Sequence, residues 1–148
     1  MPSLKSGQLV AMIGGLCLLG FTAGPAIARR GDIRTSPPPN FKKVSTLVKL
    51  PDFVPGLGTL YVDPRTLPVG PFLGYDRHHK LVDVTYMVPL KELDARKNFV
   101  DLGSGIHVRV DHTSIEFNPG HPGLAEPHYH IIEWLVSPQV ARKDVGAH

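Results

Sequence analysis

Residues Val110–Val136 read VDHTSIEFN, PGHPGLAEP and HYHIIEWLV, and they decide the fold. Two β-type runs flank the Pro/Gly loop 119–127, which predicts a hairpin. Pairing Asn118 with His128 tests that reading. Phe117 then faces Tyr129, and Ile115 faces Ile131, an aromatic and an aliphatic pair on one side. The other side carries Asn118 with His128, Glu116 with His130, Ser114 with Ile132, and His112 with Trp134. Each face is chemically coherent, and a slip by one residue would mix them.

The register has a chemical consequence. His128 and His130 leave the strand on one side, roughly 6.8 Å apart along the chain, and can lean toward one ion. Glu116 lies across from His130. His112, four residues from Glu116, would be roughly 13–14 Å away in this register. A four-residue slip would instead bring His112 opposite His130, and His121 in the loop could swing in. The expected metal ligands are His128 and His130, completed by His112 or Glu116. Such a set suits a divalent transition metal: Zn, Cu, Ni or Fe. The competing readings are satisfied polar histidines at a sheet rim and metal-free acid–base work. Ile132, Trp134 and Val136 extend the polar cluster into an apolar wall, the composition of a pocket mouth, so a small-molecule ligand is admitted.

Outward from the hairpin, the N-terminus carries an address. Lys5, an apolar run at Leu9–Phe21 and Ala26-Ile27-Ala28 form the pattern of a signal peptide over residues 1–28. The run is short for a membrane span, so no stable span is expected after cleavage, and the protein is expected in the periplasm or outside the cell. Cys17 lies inside that run, leaving no cysteine for disulfides or thiolate ligands. About 120 residues remain, one domain's worth. Without Lys5 there are 15 basic against 13 acidic residues, with no basic run longer than two. Nucleic acid is not an expected partner.

Residues 29–50 are expected as a proline-rich mobile leader followed by a first element, either a short helix or a strand at Phe41–Leu50. Residues 51–138 are expected to form the β-rich domain, and 139–148 a frayed polar tail. Five prolines between Pro51 and Pro71 leave only Thr59–Val62 able to pair, near an edge. Phe72–Tyr75 and Lys80–Val88 predict a hairpin around Asp76–His79, its second arm buried on one side, with His78 and His79 in the turn. Pro89–Asn98 has the charge order of a short helix. Ile106, Val108 and Val110 alternate like a strand, with a bulge or bend near 111–113. The fold class is mostly β (α+β with one or two short helices): an antiparallel sheet or small barrel or sandwich in a single domain.

Pro127-His128-Tyr129-His130 resembles the first metal motif of cupins, but Glu133 follows too soon and 12 residues after Val136 leave no room for the second motif. Four segments together resemble a bacterial domain-of-unknown-function family of secreted and Thermus-type proteins. They are the LYV…LPxGP stretch at Leu60–Pro71, Tyr86–Leu90, Val110–His112 and the PGHPG…PHYH stretch at Pro119–His130. The resemblance implies a compact β-rich fold able to form oligomers. Its pairing of VDH with PHYH keeps His112 among the candidate ligands. Three functions stay open: an exported metal-binding protein, a metal-free structural or homo-oligomer-forming envelope module, and a cupin-like or small-molecule-binding metalloenzyme. No nucleophile is evident, since Ser104, Ser114 and Ser137 lack the sharp turn a serine nucleophile needs.

Overall fold

The computed structural model describes residues 32–147. The signal-peptide reading of residues 1–28 lies outside them. Six antiparallel strands form one sheet: β1 (Lys42–Lys43), β2 (Thr59–Val62), β3 (Phe72–Tyr75), β4 (Leu81–Pro89), β5 (His112–Asn118) and β6 (His128–Trp134), in the order β1-β2-β3-β4-β6-β5. Two short helices complete it, α1 (Leu90–Asp94) and α2 (Pro138–Asp144). This is the mostly-β, single-domain antiparallel architecture expected. Among the described residues no helix is long and apolar enough to cross a membrane.

The last hairpin takes the register derived from its two faces: Asn118 opposes His128, Glu116 opposes His130 and His112 opposes Trp134. β6 also pairs with β4, placing Met87 beside His130 and Thr85 beside Ile132. The row Val62, Phe72, Thr85, Ile132, Ser114 therefore crosses five strands on one face. Opposed residues share a face, which is how distant sequence segments come to line one surface.

β4 departs from expectation, being buried on both faces along its whole length. Irregular segments cover both sides of the sheet. On one side Leu60, Val62, Phe72 and Met87 pack with Val44 and Leu124, and Val48, Leu50 and Leu57 close over them. On the other, Ile33, Phe41, Ile106 and Val108 pack against Leu73, Tyr75, Val84 and Tyr86. The expected strand at 106–110 is thus a correction: the segment is unpaired chain whose alternating apolar residues plug a sheet face. No bulge is needed at 111–113, because pairing begins there, with Asp111 N donating to Trp134 O at 2.7 Å.

Three further elements differ from the sequence reading. The segment from Asp32 is tied down, not mobile: Tyr75 OH donates to Ile33 O at 2.6 Å, and Leu81 N donates to Arg34 O at 2.9 Å. The helix expected over Pro89–Asn98 stops at Asp94, and Arg96 turns to φ 56°. The polar tail after Pro138 is a helix, because Ala141 and Val145, one turn apart, bury against Val82, Ile132, Trp134 and Val136. Phe41–Leu50 holds both alternatives in sequence, the two-residue β1 and a 3-10 turn at Val44–Thr46. His78 and His79 sit exposed in the β3–β4 turn as expected, where Asp76 Oδ1 accepts from the backbone amides of His78 and Lys80.

Gly74 marks a close approach on the pocket-bearing face. A Cβ there would overlap the Asp83 carboxyl and the Leu57 carbonyl oxygen. Asp83 is wholly buried across from it, its Oδ1 accepting from Thr85 Oγ1 at 2.9 Å while Oδ2 has no protein partner. Burial pushes this carboxyl up to about 8, opposed by the Thr85 hydrogen bond.

Candidate metal centre

The loop between β5 and β6 does the positioning. Asn118 Oδ1 accepts from Gly120 N at 2.9 Å, starting the turn. His121 and Leu124 then exchange both backbone hydrogen bonds, at 2.9 and 3.0 Å. Leu124 is buried in the cluster with Val44 and Met87, which draws the loop down onto the sheet. His121 is thereby folded back over the first residues of β6.

Three imidazoles converge there. His128 Nε2 lies 3.2 Å from His121 Nε2 and 3.0 Å from His130 Nε2. One ligand atom from each of the three falls within 4.8 Å of the others. Nitrogens that share a tetrahedral metal at 2.0–2.1 Å stand roughly 3.3 Å apart, so the two short separations are close to what a shared ion requires.

Backbone carbonyls fix the tautomers of two rings. His128 Nδ1 lies 2.7 Å from Glu126 O, and His121 Nδ1 lies 2.9 Å from Pro122 O. A carbonyl only accepts, so each Nδ1 carries the proton, and in the neutral ring each Nε2 presents a lone pair. The 3.2 Å approach of these two Nε2 atoms therefore sets lone pair against lone pair. His130 can donate to one of them, but not to both. A cation at the common centre removes the conflict, and a second nitrogen bonded to a backbone carbonyl is the usual outer arrangement of metal-bound histidine.

His128 is fully buried, and His130 is pulled down to about 4, by desolvation first and then by His128 and His121. A ring held neutral at physiological pH keeps its lone pair available for a metal.

The other expected ligands are placed elsewhere. His112 is stacked on Trp134 with ring centroids 6.0 Å apart, and its Nδ1 lies 3.0 Å from Asp111 Oδ1. Neither it nor Glu116 belongs to the converging group. Glu116 is exposed at the rim of a cavity of about 340 Å³, whose wall also includes His121 and His130. His128 is not on that wall, so it backs the cluster while the other two rings reach the cavity. The sequence offered His121 as a loop residue able to swing in; the signal that fixes it is the buried Leu124 three residues on.

No family model matches the chain, and no curated protein matches it. Among solved structures, the chain is similar to a hypothetical protein, TTHB210, from Thermus thermophilus, with 53% sequence identity and a TM-score of 0.59. The match covers 65% of this chain and 93% of the Thermus chain.

Proposed function

We propose, for a chain that belongs to the family of the Thermus hypothetical protein TTHB210, that it binds one divalent transition-metal ion through Nε2 of His121, His128 and His130. The observation that carries this reading is the pair of carbonyl-fixed tautomers, which point two lone pairs at each other across 3.2 Å. Three neutral nitrogen donors suit Zn(II) first, with Cu(II), Ni(II) and Fe(II) as competitors. Three protein ligands leave a fourth position, and the cavity bordered by His121 and His130 gives it a direction to open. A water bound there would be acidified by the metal, and a small ligand could replace it.

The test is metal analysis and calorimetric titration of full-length protein without a histidine tag. We expect about one zinc per chain and a micromolar or tighter dissociation constant. Less than a tenth of an equivalent bound at micromolar zinc would overturn the reading.

A second reading rests on β5. This edge strand exposes Ile115 (68%) and Phe117 (56%), with Phe117 edge-on to the ring of Tyr129, on the face away from the cavity. Unpaired edges with exposed apolar side chains invite pairing between copies. We propose that this face joins chains in a homo-oligomer. Ile115→Lys combined with Phe117→Lys should then reduce the light-scattering mass to that of one chain. An unchanged mass would remove this interface.

A further inference from the structure

The cavity beside the imidazoles points to a ligand class. Its walls are the apolar side chains of Leu60, Val62, Phe72 and Met87 on the sheet, roofed by Val48 and Leu50. Its ionisable groups, Glu116, His121 and His130, come with Asn118 from the β5–β6 hairpin, and Thr85 of β4 adds a hydroxyl. At interior packing density, about 340 Å³ holds on the order of fifteen non-hydrogen atoms. Three neutral imidazoles leave the ion's double charge uncompensated, so an anionic donor is the favoured fourth ligand. No lysine or arginine lines the cavity to receive a second charge.

We infer that the site takes a medium-chain aliphatic carboxylate, its carboxylate oxygen on the ion and its chain in the cavity. The inference rests on the metal reading above. The carboxylate supplies the charge and the donor atom, while the tail supplies affinity of about fourfold for each methylene removed from water.

Calorimetry of octanoate and acetate on the full chain, first loaded with zinc, separates the two claims. Zinc uptake is measured before either anion is added, so failure of the metal site is seen on its own. With zinc bound, octanoate should bind at least about 100-fold tighter than acetate. His128→Ala combined with His130→Ala should lose zinc and weaken octanoate at least tenfold. Val48→Phe, which narrows the cavity from a half-buried roof position, should weaken octanoate and leave acetate unchanged. Equal affinities for the two anions on zinc-loaded wild-type protein would overturn the inference while leaving the metal site standing. A light-scattering mass that falls on adding octanoate would assign the cavity to a segment of a second copy, and would also overturn it.

Discussion

His128→Ala should lower zinc affinity by about 1,000-fold or more, the largest functional effect expected of any single substitution. Its Nε2 lies within 3.2 Å of both other donors, so it occupies the middle of the group. It is also fully buried, and its orientation is fixed from behind by Glu126 O. Two donors left on a partly open loop and a strand would hold an ion much more weakly than three preorganised ones. His130→Ala should cost a similar factor. His121→Ala should cost less, because its loop is only partly buried and water can replace its nitrogen. His112→Ala and Glu116→Ala should change zinc affinity little, since neither side chain is in the converging group. Calorimetry of the five variants at one pH reads the order directly. An effect of His112→Ala as large as that of His128→Ala would mean the site is built differently.

Asp83→Asn should change the pH dependence of stability more than any other substitution. The folded-state value of Asp83 is raised to about 8 from an ordinary 3.8, with burial as the leading cause. A raised carboxyl binds its proton more tightly in the folded chain than in the unfolded one. The stability it confers is complete below about pH 4 and is lost as pH rises toward 8, at up to about 1.4 kcal/mol per pH unit. His130 works in the opposite direction lower down. Its folded value is depressed to about 4, so stability is lost as pH falls from 6.5 toward 4. The two slopes oppose each other below pH 6.5, and between 6.5 and 8 only the Asp83 slope remains of the pair.

Metal-free wild-type protein should therefore lose stability steadily from pH 6.5 to 8. Asp83→Asn, which keeps the shape and cannot ionise, should flatten that window and raise the melting temperature at pH 8. Thermal melts in chelator across this range decide it. Parallel wild-type and variant profiles would show that Asp83 does not change its proton on unfolding.

The features legible in the sequence were those that alternation controls. The β5–β6 register followed from two coherent faces, and it placed His128, His130 and Glu116 where the fold has them. Thr59–Val62 was isolated by its prolines and glycines and is the observed β2. What was not legible depended on coverage from elsewhere. Lys80–Val88 reads as an arm buried on one side only, and segments far away in sequence cover the other side as well, so that Asp83 and Thr85 are both buried. Ile106 and Val108 alternate as a strand would, yet they serve as plugs against an existing sheet. His121 joins the converging imidazoles because Leu124 anchors its loop, a tertiary contact that local pattern does not encode. The α2 helix did leave a trace in the spacing of Ala141 and Val145, outweighed by the polar residues around them.

The metal reading requires that the Nε2 lone pairs of His121 and His128 face a common point. Long-range proton–nitrogen NMR of the imidazoles, with and without one equivalent of zinc, reads those lone pairs ring by ring. Nδ1 should be protonated on both rings before and after zinc. The Nε2 resonances of His121, His128 and His130 should shift together at one equivalent, while those of His78, His79 and His112 stay unchanged. Protonated Nε2 on His128, or Nε2 signals in the three rings that zinc does not move, would contradict it.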